Sequence, residues 1–244
     1  MNFKFVLSLV AISVSIIFQA SLGATIDSSD VLRQIDEREF YSQANQDKFV
    51  YSLLYGLLDK QDKGYYLEIG ASEPIYINNS YFFEKNVQWD GVSIDISDQF
   101  VELWQATRKN LLLSEDATRS NYTSILKNFP RVIDYLSLDV DGYYDVVLEK
   151  VINSDHVFKV ITIEHDFYRF GDAYRQKERT ILTELGYYML CSDVSNEGNA
   201  FEDWWIHPDF FPASVFSKLT TLDLRALDYT EIMPLIRNLI FERN

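Results

Sequence analysis

The chain of 244 residues is 47% hydrophobic and 24% charged and carries 17 Phe and 16 Tyr, which fits one folded domain with a large core and excludes a disordered polymer. Its 22 Lys and Arg stand against 37 Asp and Glu, a formal charge of −15 spread along the chain, so neither nucleic acid nor an anionic membrane surface is expected as the main partner. The single cysteine, Cys191, excludes an intramolecular disulfide framework and sits in an apolar run as a buried small hydrophobe.

In chain order, Lys4 precedes an uncharged apolar run from Phe5 to Phe18, and the small residues Ser21 and Gly23 follow. This is the layout of a secretory signal over residues 1–23. The run is shorter than the roughly 20 residues that span a bilayer, so it reads as a cleaved signal peptide or, uncut, as a signal-anchor held through residues 5–18. A secreted, lumenal or membrane-anchored location in the secretory pathway is expected. Two acceptor sequons, Asn78-Asn79-Ser80 and Asn121-Tyr122-Thr123, are compatible with that fate. Residues 24–40 read as a linker, 41–212 as the main domain and 213–244 as a C-terminal helical extension.

Within the main domain, Phe49, Val50, Leu53, Leu54, Leu57 and Leu58 recur at helical spacing over Ser42 to Lys60, and Gly64 ends that helix. Short apolar runs follow at 65–69, 91–94, 111–113, 133–138, 157–163 and 187–190. Helical stretches separate them at 79–86, 99–108, 124–129, 143–153 and 174–185. Strands alternating with helices predict βαβ units, and therefore a doubly wound α/β domain with a mainly parallel sheet buried on both faces. Glu202 to Pro208 reads as a last edge strand closed by the proline, and 231–241 as a final helix.

Doubly wound sheets bind ligands outside the carboxyl ends of their strands, which directs attention to the residue after each run. The first run ends in Glu68-Ile69-Gly70-Ala71-Ser72-Glu73-Pro74, where Gly70 and Ala71 let the backbone approach a ligand and Glu68 accepts a hydrogen bond from an ammonium or hydroxyl. The second ends at Asp95, placed to accept from ribose hydroxyls, and the third at Glu115-Asp116-Ala117-Thr118, where Asp116 accepts from the amine of a base. The fourth runs into Asp139-Val140-Asp141-Gly142 and the fifth into Glu164-His165-Asp166. Neither G-x-G-x-x-G nor a Walker-type phosphate loop is present, so a dinucleotide or nucleoside triphosphate is not expected. A nucleoside with an amine-bearing tail fits, and the cationic sulfonium of S-adenosyl-L-methionine suits an acidic cleft. Taken singly, each of these acids also reads as the cap of the next helix.

Several segments then add up to a resemblance. They are Ser42-Gln43-Ala44-Asn45-Gln46-Asp47, Glu68-Ile69-Gly70-Ala71, the run from Asn79 to Lys85, the run from Trp89 to Asp95, the run from Asp134 to Gly142, and Ile161-Thr162-Ile163-Glu164-His165. In order and spacing, from about Tyr41 to Pro208, they resemble the motifs of FkbM-type methyltransferases. The resemblance implies the seven-stranded Rossmann-like sheet of S-adenosylmethionine-dependent enzymes and O-methylation of a small-molecule or glycan hydroxyl. It also implies that Glu68, Gly70 and Ala71 line the methionine side of the cofactor, with Asn79 and Ser80 beside them. Asp95 would hold the ribose and Asp116 the adenine amine, with Ala117 next to it. Pro74 stands where the family often has glycine, and it fixes a torsion and lacks an amide donor.

Methyl transfer to a hydroxyl needs alignment and a group that takes the proton. His165, expected at the cleft mouth, Asp139 and Glu164 are the candidate catalytic residues, with Asp141 beside them. Oxygen ligands on Asp139, Asp141 and Glu164 suit a divalent cation, but nothing in their spacing fixes a site and no metal is expected. Trp204, Trp205, Phe210 and Phe211 read as core packing or as the wall of an acceptor pocket. A second reading is a non-catalytic lumenal or membrane-anchored protein that keeps the fold and binds a protein partner, favoured by the leader and by Pro74.

Overall fold

In a computed structural model, residues 28–242 are described; the signal expected over 1–23 lies outside them. The apolar runs become seven strands: β1 Tyr65–Ile69, β2 Asp90–Asp95, β3 Leu111–Ser114, β4 Val132–Leu138, β5 Val157–Glu164, β6 Tyr188–Asn196 and β7 Asn199–Ile206. They form one sheet in the order β3-β2-β1-β4-β5-β7-β6. The first five strands are parallel, and β7 runs antiparallel to both β5 and β6. This is the doubly wound, Rossmann-like sheet in the strand order of the class-I methyltransferase fold.

The helices are α1 Ser28–Glu37, α2 Gln46–Tyr51, α3 Tyr81–Val87, α4 Val101–Thr107, α5 Tyr122–Ile125, α6 Tyr144–Ile152, α7 Phe167–Phe170, α8 Asp172–Glu184, α9 Ala213–Leu219 and α10 Tyr229–Phe241. The long helix expected over 42–60 is shorter: α2 passes into a π-helical turn at Ser52–Leu57. Side chains alternate across each strand, so the sheet feeds two cores. Tyr66 and Trp204 pack with Phe49, Leu53, Phe82 and α10 on one face, while Leu67 and Trp205 pack with Val147, Leu148 and Leu182 on the other.

Three expectations need correction. The stretch 24–40, read as a linker, holds α1, whose Val31, Leu32 and Ile35 are buried in the first core. Their spacing is one helical stripe within a short polar segment. Residues 213–244 add Leu219, Ile232, Ile236 and Ile240 to the same core. Finally, β7 is an inner strand and β6 the edge, because the turn at Glu197 and Gly198, both at positive φ, folds β7 back between β5 and β6. Its burial on both faces agrees: Phe201 through Ile206 are all buried. Among the described residues no helix is long and apolar enough to cross a membrane.

Candidate active-site cleft

The carboxyl ends of β1 to β4 open into a cleft of about 740 Å³. Gly70, Asp95, Asp116, Ala117 and Asp139 line it together. Gly70 has φ +86°, and a Cβ there would stand 1.4 Å from the Asp139 carbonyl oxygen, so only glycine lets β1 and β4 end side by side. Asp95 is fixed from two sides: Ser72 N donates 2.7 Å to Oδ2 and Ser97 N donates 2.8 Å to Oδ1. Its carboxylate thus ties the loops after β1 and β2 while facing the cleft. Asp116 Oδ1 accepts from Thr118 Oγ1 at 2.7 Å and Thr118 N at 2.9 Å, and these bonds hold its carboxyl below the ordinary value.

Glu73 and Asp141 also line the cleft, which makes five carboxylates, and among the described lining residues there is no Lys, Arg or His. Tyr76, Ile77, Ile96 and Tyr143 add exposed apolar surface at its rim. Sequence reasoning missed this rim, since single exposed apolar residues in loops carry no periodic signal.

Glu68, Ala71, Asn79 and Ser80 do not line the cleft; they support its first loop from behind. Glu68 is buried and accepts 2.7 Å bonds from Ser80 Oγ and Ser93 Oγ. Burial pushes its carboxyl up, and the Arg108 guanidinium opposes that. Asn79 Nδ2 donates 2.9 Å to Ser137 Oγ, and Ala71 is buried. The loop itself is gripped by Asn78, whose Nδ2 donates to the carbonyls of Ala71 and Glu73, and by Arg108. Arg108 is buried and donates 2.8 Å to Glu84 Oε2, 2.7 Å to the Pro74 carbonyl, 2.9 Å to Tyr66 OH and 2.8 Å to Ser80 Oγ. Pro74 therefore serves as an acceptor for Arg108 and leaves the cleft wall free.

At the β4 and β5 ends, Asp139 lines the cleft and hydrogen-bonds the Glu164 carboxyl behind it. Burial pushes Glu164 up and the neighbouring Asp139 adds to this, while desolvation also raises Asp139. Tyr144 OH reaches Glu164 Oε2 at 3.0 Å and Asp166 Oδ2 at 3.2 Å.

His165 is not at the cleft mouth. It is fully buried, and its Nδ1 accepts from Phe167 N at 3.1 Å. Strand alternation turns Glu164 toward Asp139 and His165 the other way, where Nε2 stands 3.5 Å from Asp203 Oδ1 and 3.9 Å from Asp193 Oδ1. Burial raises Asp203, but Arg179 and His165 overcome it and hold the carboxyl below its ordinary value.

His165, Asp193 and Asp203 are the one group among the described residues with metal-ligand spacing, and Asp139, Asp141 and Glu164 do not form such a group. Their carboxylates are already neutralised: Arg175 Nη1 lies 2.6 Å and Arg179 Nη2 2.8 Å from Asp193, and Arg179 Nε lies 2.7 Å from Asp203. A metal ion has no charge left to meet there. Trp204 packs against Phe49 with ring centroids 4.4 Å apart and tilted by 36° and, with Trp205, is buried in the cores away from the cleft.

Comparison with solved structures finds distant likenesses. The chain is similar to N-methyltransferase NodS from Bradyrhizobium japonicum WM9, at 13% identity over 68% of this chain and 97% of that one, TM-score 0.42. It is similar to magnesium protoporphyrin IX methyltransferase (ChlM) from Synechocystis PCC 6803 with bound SAM, at 12% over 74% and 90%, TM-score 0.44. It is also similar to M. capricolum TrmK in complex with S-adenosyl-homocysteine, at 12% over 84% and 99%, TM-score 0.43. No protein-family model and no curated protein matches the chain.

Proposed function

We propose that this chain is an S-adenosylmethionine-dependent methyltransferase of FkbM type, acting in the secretory pathway on a hydroxyl oxygen of a small molecule or glycan. The observation that carries the reading is Asp95: an ionisable carboxylate, fixed by two backbone amides at the end of β2, facing a cleft that also receives Gly70 and Asp116. The donor set fits the cofactor. Five carboxylates without a lining cation suit a ligand with a sulfonium and an ammonium, and they repel phosphate. The same balance disfavours nucleic acid as the acceptor.

Asp95 would accept from the ribose hydroxyls and Asp116 from the adenine amine, while the Gly70 turn gives the methionine end close backbone approach. When bound, the cofactor would supply a methyl group on a cationic sulfur, open to in-line attack by the acceptor oxygen with the thioether sulfur leaving on its electron pair. Asp139 then takes the acceptor proton at its carboxylate. Glu164, its carboxyl pushed up by burial and by Asp139, stands behind Asp139 and would orient it, and Tyr144 holds Glu164. His165 acts at a distance, by fixing the turn after β5 through Phe167 N.

Isothermal titration of S-adenosylmethionine and S-adenosylhomocysteine, with Asp95→Ala as control, tests this reading. Saturable binding lost in the variant is expected. Absence of binding by folded protein would refute it and turn attention to the non-catalytic reading, which the exposed apolar rim at Tyr76, Ile77, Ile96 and Tyr143 favours.

A further inference from the structure

The two sequons look equivalent in sequence, but the fold treats them oppositely. Asn78 is 1% exposed. Its Nδ2, the atom to which a glycan is joined, donates 3.1 Å to the Ala71 carbonyl and 3.1 Å to the Glu73 carbonyl. Its Oδ1 accepts from Ser80 N at 3.0 Å, Tyr81 N at 2.8 Å and Arg108 Nη1 at 3.2 Å. A glycan on that nitrogen removes one of the two donated hydrogens and needs a path to solvent through the loop that walls the cleft. A chain modified there cannot close the loop.

Asn121 is the reverse case. It is exposed at the start of α5, and so is Thr123. Its Oδ1 accepts 3.0 Å from Ser124 N as the helix cap, while its Nδ2 has no partner among the described residues. Between them Tyr122 is buried, and its OH donates 3.0 Å to the Ala117 carbonyl, so the sequon is pinned to the surface by its middle residue. A substituted amide keeps Oδ1 as an acceptor, so a glycan on Nδ2 leaves the cap intact.

We propose that Asn121 is an N-glycosylation site and that Asn78 is not, an inference that rests on the secretory reading above. A new bond joins Nδ2 to the anomeric carbon of a glycan delivered from a lipid pyrophosphate donor. The lipid pyrophosphate departs with the bonding electron pair, and the amide gives up one proton.

The test is translation of the full chain with endoplasmic-reticulum microsomes, followed by protease protection and endoglycosidase digestion. The expected result is a protected chain with one glycan step in gel mobility, erased by the glycosidase and lost in both Asn121→Gln and Thr123→Ala. The second variant keeps the Asn121 cap bond, so loss of the step there reports the sequon and not helix damage. A protected chain with no step, with two steps, or with a step that survives Thr123→Ala overturns the assignment while the secretory reading stands. An unprotected chain overturns the secretory reading and the site together.

Discussion

Replacing Arg108 by Met tests whether the cleft's first loop is held from behind. The Arg108 side chain is 0% exposed and its partner Glu84 7%, so this is a buried ion pair. Removing one partner leaves the other charge buried and uncompensated, at a cost of about 3–5 kcal/mol. Glu84 keeps the backbone amides of Lys109 and Asn110 as donors, which softens the loss toward the lower end of that range. The Pro74 carbonyl, Tyr66 and Ser80 lose a donor as well. Urea unfolding followed by fluorescence should show the midpoint fall by roughly 1–3 M for a slope near 2 kcal/mol/M. Arg108→Lys, which keeps the charge but loses the fork, should fall between. The affinity for S-adenosylmethionine should drop in both, since Ser72, the amide that fixes Asp95, belongs to the released loop. A loss under about 1 kcal/mol in Arg108→Met would refute the buried-clamp argument. So would an Arg108→Met, Glu84→Met double variant less stable than the single one, because pairwise removal takes away the stranded charge.

Asp95→Ala should weaken S-adenosylmethionine binding by about 10- to 100-fold through lost charge-assisted hydrogen bonds, read by calorimetry, and unchanged affinity would remove Asp95 from the site. Asp139→Asn should abolish methyl transfer to a hydroxyl while leaving cofactor affinity within a few-fold, so retained turnover would assign the base elsewhere. Glu178 on α8 is buried with both carboxyl oxygens unpartnered among the described residues and is pushed up to about 9 by burial, then by Asp203 and Asp145. A carboxyl raised in the folded state from 4.5 contributes stability below pH 4.5 that is lost as pH rises toward 9, so Glu178→Gln should flatten the decline and recover up to about 3 kcal/mol at pH 7 in denaturant titrations across pH. Equal slopes for the two proteins would show that Glu178 finds a partner. His165→Asn should lower the melting temperature and leave cofactor affinity unchanged, whereas lost affinity would return His165 to the cleft.

The sheet was legible because parallel strands buried on both faces read as continuous apolar runs, and β1 to β5 lie where those runs stand. The edge was not legible. Strand pairing between β5, β7 and β6 is decided by a hairpin turn at Glu197 and Gly198, and a turn says nothing about which side of its partner the second strand takes. Gly70, Asp95, Asp116, Ala117 and Asp139 share the cleft because position after a strand end is a topological fact. Glu68 fell behind it because strand parity decides on which side a residue points and a shift of one residue reverses the answer, and Ser80, just before α3, turns its hydroxyl back to Glu68. The same parity separates Glu164 from His165: an imidazole's suitable chemistry drew attention to the wrong neighbour of a correctly located strand end. Arg108 gave no signal at all, since a lone arginine after α4 looks like surface charge until its five neighbouring acceptors are assembled from distant segments.

The placement of cations explains why the cleft is so acidic. Arg108 is spent on Glu84 and Glu68 beneath the first loop, and Arg175 and Arg179 on Asp193 and Asp203 beneath α8. The second set is close to electrically balanced, two guanidiniums against two carboxylates, so its field falls off quickly outside the cluster. The cleft holds Glu73, Asp95, Asp116, Asp139 and Asp141, and among the described residues two exposed guanidiniums reach its carboxylates from outside, Arg119 at Asp116 and Arg169 at Asp141. Five carboxylates around one concavity raise the free energy of any anion that enters and lower that of a cation. Under the proposed reading a bound sulfonium would relieve the repulsion among these carboxylates, and transfer of its methyl group would remove that charge. The same carboxylates would then hold the product less tightly than the cofactor, which would give the cleft a direction: taking in the charged cofactor and letting go of the product with no net charge.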